Sequence, residues 1–457
     1  MADVDFSKIH NEFLHLYHAY TDNTESPDMF HCWSGLSALS ACLGKRVWLP
    51  HGIHKIYSNM YIVLSGPPGV RKSTAISWAT HRLKNATNIA WAPDDTGGQR
   101  QGLIKALSQT KEQPDSETGK KTAAIAGAQS NPIELQKMLD GLSFDYPLRE
   151  PEVLYGAFQE LDSALGTSQR DLLTFFRIIW DSSRYTYQLR NEIIVLEEPV
   201  LSFISATTPE NLAGCLPEGS FSSGFCSRVI FVYSDTKKAR LPDPPPPDES
   251  LVRQVETVFS YAHTKLHGAV KVEKQAKTFI DELYMHSIDN VEDARFIHYL
   301  QRRQTHLIKT MITLAAGRQD RIITIQDALD AHYLLSVTEI DMPMALGEFG
   351  LSPTARAQQK ILDCLRAKSN GVMKDLSVWA QLQRDVKLAE YKSAIDNLVN
   401  AGKIKKRKVK IGGIDTLIYI AVRKESEVID AIYQRHRIQT ETEKQQIATS
   451  TTKEVIG

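Results

Sequence analysis

The sequence predicts an α/β fold: a parallel five-stranded sheet around a phosphate-binding loop, a helical lid, and a small C-terminal domain of three helices and a hairpin. Three observations predict it. The apolar run Tyr61–Leu64 suits a buried parallel strand, and Gly66, Pro67, Pro68, Gly69, Val70, Arg71, Lys72, Ser73 and Thr74 turn from it into a helical pattern. Four more apolar runs, Asn88–Ala92, Val153–Phe158, Pro199–Ala206 and Val229–Tyr233, are separated by helical segments, as parallel strands require. After the proline run Pro242–Pro247 the apolar spacing is helical to Met344, and beyond Ala355 it changes to three helices and two strands.

The loop carries the first chemistry. Glycines at 66 and 69 let backbone N–H groups turn onto phosphate oxygens, and the helix that follows adds its N-terminal partial charge. Lys72 is placed to neutralise the β- and γ-phosphates of ATP and Ser73 to ligate Mg²⁺. Arg71 stands where the usual spacing has a second glycine. The flanking strand and helix favour a nucleotide site over an ordinary strand-to-helix turn.

Composition sets the outer bounds. At 457 residues the chain holds a nucleotide-binding domain and one or two smaller ones. Its 54 basic and 54 acidic residues cancel, so nucleic-acid affinity has to come from local patches. Cys32, Cys42, Cys215, Cys226 and Cys364 form no C-x-x-C pair, which argues for reduced thiols in a cytosol-like compartment. No signal peptide and no membrane-length apolar run is expected.

Residues 1–55 read as a helical prelude, with helices over Phe6–Tyr20 and Phe30–Leu43. His10, His15, His18 and His31 crowd it without metal-ligand spacing and read as helix faces packed on the core. The core, 56–240, continues the helix through Ala75–Leu83. Asp94 and Asp95 are read as a helix cap ahead of Gly102–Leu107, or as substrate contacts. Residues 109–130 read as a mobile surface loop.

The strand Val153–Phe158 runs into Gln159-Glu160-Leu161-Asp162. A carboxylate at such a strand end orients the attacking water, which assigns Glu160, while Asp162 is the weaker candidate near the metal. Leu172–Trp180 is a helix, and Arg184–Leu189 with Ile193–Leu196 makes a hairpin whose Arg184 and Arg190 suit phosphate contact or simply solvation. Thr207 ends the fourth strand as candidate γ-phosphate sensor. Arg228, just before the fifth, is read as a surface arginine that enters a neighbouring subunit's site, or else forms a surface salt bridge.

The lid, 241–345, is expected to be all-α; Arg302, Arg303 and Lys309 share one helix, and which of them reaches nucleotide is left open. Residues 355–423 have the element order of a winged helix. Its first strand carries Lys403, Lys405, Lys406, Arg407, Lys408 and Lys410, six basic residues in eight, an electrostatic footprint for duplex DNA. Winged helices also bind protein. Residues 436–457 are expected to be a disordered tail.

Together GPPGVRKST, YGAFQELDSALG, FISATTPENL and GFCSRVIFVY resemble a family of phage and prophage P-loop proteins, often described only as an uncharacterised domain or as primase-associated helicases. The resemblance spans Ser26 to Met342 and takes in SPDMFHCWSGLSALSACLGKRVWLPHG and RRQTHLIKTMITLAA; arginine at the last loop glycine also occurs in that family. A looser similarity is to the minichromosome-maintenance and superfamily 3 helicases of the AAA+ class. The resemblance implies an AAA+-like core with Lys72 and Ser73 at nucleotide and Mg²⁺, Glu160 at water, Thr207 as sensor, Arg228 as a finger in trans and Arg190 in a pore hairpin. Gln159 and Thr207 depart from its usual Asp and Asn.

The expected activity is an ATP-dependent helicase that forms a ring, a hexamer, around single-stranded DNA in the cytoplasm of a bacterial host. A primase or polymerase would be a separate partner. The alternatives are a nucleotide-switched initiator or helicase loader without unwinding, and a defence or regulatory ATPase whose winged helix holds a protein.

Overall fold

The computed structural model describes residues 3–93, 100–109, 152–161, 165, 169–188, 193–216, 224–286, 294–347, 353–366, 371–400, 403–411, 414–421 and 429–442. The chain divides into a larger unit, Met1–Met285 with Asp289–Gly347 and His436–Gly457, and a smaller one, His286–Ile288 with Glu348–Arg435.

The first expected helix is broken in two. A 3-10 turn, Phe6–Lys8, is capped by the Asp5 carboxylate, and α1 (Glu12–Thr21) starts afresh where the Asn11 side chain accepts the Leu14 N–H. In α2 (Asp28–Leu43) every residue from Met29 to Leu43 is buried. A helix with no charged residue after its first turn, only apolar and small polar side chains and His31, can be surrounded in this way. A Cβ on Gly35 would lie 2.9 Å from the Tyr17 ring. The prelude then turns into strands, which the helical reading missed: β1 (Val47–His51) and β2 (His54–Tyr57) pair antiparallel around Gly52, which has φ +59°. Five residues containing Pro50 carry too little alternation to announce a strand.

The sheet begins with β3 (Tyr61–Ser65) and is followed by α3 (Lys72–Ala86) and α4 (Arg100–Gln109). Next come β4 (Val153–Phe158), α5 (Gln169–Trp180), the antiparallel pair β5 (Tyr185–Gln188) and β6 (Ile193–Leu196), β7 (Val200–Thr207), α6 (Pro209–Cys215) and β8 (Val229–Tyr233). The sheet has four parallel strands in the order β4-β7-β3-β8. β3 and β7 are buried throughout, which is why both read as unbroken apolar runs. The fifth strand shrinks to one bridge, Trp91 with Tyr155, where Ala92 N donates to Tyr155 O at 2.7 Å. Pro93 follows and has no N–H to continue a ladder.

The expected lid is not purely helical. After α7 (Glu249–Thr264), short strands β9 (Gly268–Ala269) and β10 (Lys271–Val272) precede α8 (Lys274–Met285), α9 (Ile297–Gly317), β11 (Ile322–Ile323) and α10 (Ile325–Ala345). β9 pairs with β1 and β10 with β11, both parallel. Trp33 Nε1 donates to Thr338 Oγ1 at 2.8 Å and Asn11 Nδ2 to Leu314 O at 3.0 Å, so these helices close over α1 and α2 as well as over the sheet.

The smaller unit runs α11 (Pro353–Arg366), β12 (Val372–Lys374), α12 (Asp375–Leu382), α13 (Leu388–Asn400), β13 (Ile404–Ile411) and β14 (Ile414–Ala421). Its antiparallel sheet has the order β12-β14-β13. Ile361, Leu365, Val378, Tyr391, Ile395 and Tyr419 form its core. A last helix, α14 (429–442), takes up part of the expected disordered tail. His436 and Thr440 are buried in the larger unit, with His436 Nε2 2.9 Å from Glu282 Oε2 and its ring 5.2 Å from Phe279. Residues 443–457 lie outside the described residues, as do Asp94, Asp95 and 110–150.

Burial of imidazoles makes this core acid-sensitive. Burial holds His31 and His306 down to about 3 and His263 to about 4, against 6.5 for a free imidazole. A base whose folded pKa is depressed stabilises the fold fully above 6.5 and withdraws that support as pH falls toward 4. Each of the three is expected to cost about 2 kcal/mol at about pH 5. Urea midpoints read by tryptophan fluorescence should fall steeply below about pH 6.5; an unchanged midpoint at about pH 5 would show that these rings are not held neutral.

Candidate nucleotide site and basic strand

The turn from β3 to α3 is built by close approach and by left-handed backbone. A Cβ on Gly66 would fall 2.1 Å from the carbonyl oxygen of Ser234, which itself bonds Ser65 O through its N–H at 3.2 Å, so only glycine fits. Gly69 has φ +84°. Arg71, at the N-cap of α3, has φ 67° and ψ 32°, the backbone for which glycine is the usual residue. Holding an arginine there costs about 1 kcal/mol. Two neighbours pin it: Arg71 Nε pairs with Glu25, and Ser26 Oγ donates to Arg71 O at 3.0 Å. Lys237 and the Leu241 N–H hold the same Glu25, and these bonds with that from Arg71 bring its carboxyl down to about 2.

Within the loop Val70 is buried, Pro67 is half-buried, and Pro68, Gly69 and Ser73 are exposed, with Thr74 half-buried one turn into α3. Lys72 Nζ donates to Gly66 O at 2.7 Å and Pro67 O at 3.0 Å. Burial lowers the Lys72 pKa, and the charges of Glu160 and Glu210 oppose that shift. Two carbonyls and two carboxylates, four groups in all, therefore act on one ammonium. Glu210 was not marked in the sequence; it lies in the first turn of α6, whose Thr208 cap accepts the Asn211 N–H, and it looked like an ordinary helix-start acid.

Strand register aligns the rest. Ser65 is level with Thr207, and Phe158, the last residue of β4, is level with Ser205; the exposed Glu160 follows two residues beyond that strand end. The Thr207 side chain is buried and donates to Thr208 O at 3.2 Å. Lys72, Glu160 and Thr207 thus share the carboxyl end of the sheet, where open α/β sheets bind ligands. Gln159 is exposed beside Glu160. Asp162 and Arg190 lie outside the described residues.

Two expectations change here. Arg228 is not a surface residue: it is 8% exposed, with Nη2 2.8 Å from Asp181 Oδ2 and Nη1 2.9 Å from Gly224 O. It ends the 3-10 turn Cys226–Arg228 just before β8, at the amino end of the sheet, roughly 16 Å along a five-residue strand from the Gly66–Thr74 turn. None of the three lid cations bonds the loop. Arg303 pairs with Glu339 at 2.8 Å, Arg302 Nη1 is 3.8 Å from Asp181, and Lys309 is buried against Tyr57 O at 3.1 Å and Asn59 Oδ1, where burial pulls its ammonium down to about 7.

Of the candidate nucleic-acid contacts, Arg184 is 65% exposed in its side chain and lies 3.3 Å from Glu197, at the foot of the β5–β6 pair. On β13, Lys405, Lys406, Arg407, Lys408 and Lys410 are all exposed, and Lys403 just before it is half-buried. β13 is an edge strand, bonded on one side only by β14, so alternating side chains put positive charge on both of its faces. No helix among the described residues is long and apolar enough to cross a membrane. No protein-family model matches the chain, and no curated protein matches its sequence.

Proposed function

We propose that the chain is an ATP-dependent, ring-forming DNA helicase or translocase of phage or mobile-element replication, with an AAA+-like P-loop core and a winged-helix domain. The observation that carries the reading is the convergence of the Gly66–Thr74 turn, Lys72, Glu160 and Thr207 at the carboxyl end of adjacent parallel strands. In this reading the loop amides and Lys72 hold the triphosphate, Ser73 takes Mg²⁺, Glu160 orients the water and Thr207 faces the γ-phosphate. Arg228 stands at the far end of β8, so its use on a phosphoryl group takes a second copy, which is the argument for a ring. The order β12-β14-β13 with α11, α12 and α13 supports a winged helix whose wing is the basic β13.

The decisive experiment combines the purified chain with Mg-ATP and a forked DNA duplex. DNA-stimulated turnover, unwinding and ring-shaped particles are the expected result; no turnover and no nucleotide binding would end this reading. The basic wing also favours a second reading, an initiator or loader that uses nucleotide as a switch, which would show sequence-specific duplex binding with negligible turnover.

The wing itself is testable separately. Replacing Lys405, Lys406, Arg407, Lys408 and Lys410 by Gln is expected to weaken duplex binding about 100-fold at low salt and to flatten the slope of log K against log salt by about 3 to 4. An unchanged slope would take β13 off the DNA.

A further inference from the structure

A second charged cluster lies at the amino end of the strands, away from the phosphate loop. Asp181 follows α5, Arg228 immediately precedes β8, and Arg302 and Lys309 project from α9. Arg228 Nη2 is 2.8 Å and Arg302 Nη1 3.8 Å from the two oxygens of the same Asp181 carboxylate. Both guanidinium carbons are 5.6 Å from the Trp180 ring centre and Lys309 Nζ is 4.5 Å from it. Three basic side chains therefore gather on one aromatic ring, and the two arginines share one acid. Arg228 is more than nine-tenths buried, and its Nε, like Trp180 Nε1, has no hydrogen-bond partner among the described residues.

The acid is the accessible member. The Asp181 side chain is 43% exposed and that of Arg302 34%, against 10% for Arg228, so solvent reaches the acid and Arg302, and an anion gains Arg228 only by displacing the acid. A carboxylate and a phosphate offer guanidinium the same paired oxygens, and the phosphate carries more charge. The chain's own loop is roughly 16 Å distant along β3 and β8 and cannot supply that phosphate.

We propose that Asp181 is a latch in cis: its carboxylate holds Arg228 and Arg302 in the place of a phosphate group, and the terminal phosphates of a nucleotide bound to a second copy of this chain displace it. The inference rests on the ring-forming reading above. Asp181 touches no reacting atom in it; it positions two arginines and competes with the nucleotide for them. Assembly on nucleotide then has to break an ion pair, which keeps isolated copies from engaging a poorly matched anion.

The test measures ATP turnover per chain against protein concentration, and particle mass with a non-hydrolysable ATP analogue, for wild type, Asp181→Asn, Asp181→Ala, Arg228→Ala and Arg302→Ala. Asp181→Asn keeps the shape and removes the charge. It is expected to lower the protein concentration for half-maximal assembly about tenfold, with Asp181→Ala shifting it the same way, while Arg228→Ala and Arg302→Ala shift it upward. A structural role alone would raise it in the aspartate variants too. An Asp181→Asn curve that is unmoved or moved upward overturns the latch, whatever the arginine variants do. Wild-type turnover per chain that ignores concentration, together with a fully active Arg228→Ala, overturns the ring reading itself and is recognisable as a different pattern.

Discussion

Lys72→Ala is expected to reduce kcat/KM for ATP by about 100- to 1,000-fold, the usual loss when one pre-set donor to a transferring phosphoryl group is removed. The geometry explains why the effect should be large. Lys72 is half-buried, its ammonium already leans over the loop onto Gly66 O and Pro67 O, and the charges of Glu160 and Glu210 oppose the pull of burial on it. Phosphate oxygens set in that turn would take over those hydrogen bonds and gain a full positive charge. The fold should survive, because alanine is the best helix former and the position opens α3. Turnover and equilibrium nucleotide binding, measured beside the unfolding midpoint, check it. A variant that keeps turnover within about threefold would remove the phosphate loop from the chemistry.

Glu160→Gln is expected to split the two steps. The exposed carboxylate follows the carboxyl end of β4 and bears on the charge of Lys72, so losing it should lower kcat by about 100- to 10,000-fold. Nucleotide affinity should stay the same or rise, since a negative charge near the phosphates is gone. Glu210→Gln is the comparison that decides between the two acids. Glu210 faces the same ammonium but belongs to the first turn of α6. If Glu210→Gln stops turnover and Glu160→Gln does not, the water belongs to the acid that follows β7 rather than the one that follows β4.

The parts of this site that could be read from the chain are those written in local order. An apolar run, two glycines and a lysine make a loop, because close approach to Ser234 and left-handed backbone leave so few alternatives. An acid two residues after β4 was legible for the same reason. What could not be read is what the fold brings together from afar. Glu25 fixes Arg71 from 46 positions away, and this pairing explains how an arginine is held on a glycine's backbone. Arg228 read correctly as leading into a strand, yet only the fold shows that Asp181 and Trp180, at the end of α5, enclose it. The hairpin of β1 and β2 and the two-residue strands of the supposed lid were lost because so few residues carry no period. The fifth strand was overread: Asn88–Ala92 has the composition of a strand, but Pro93 leaves it one bridge.

The enclosed helix α2 has a consequence for how this molecule can be divided. A helix of 16 residues is about 24 Å long. Withdrawing it would leave a greasy trench of that length running beneath β3, β7 and β8, open to water along its whole course. The sheet segment therefore does not stand apart from the residues that precede it, and a clone trimmed to begin at β3 is expected to collapse or clump rather than yield a smaller folded unit.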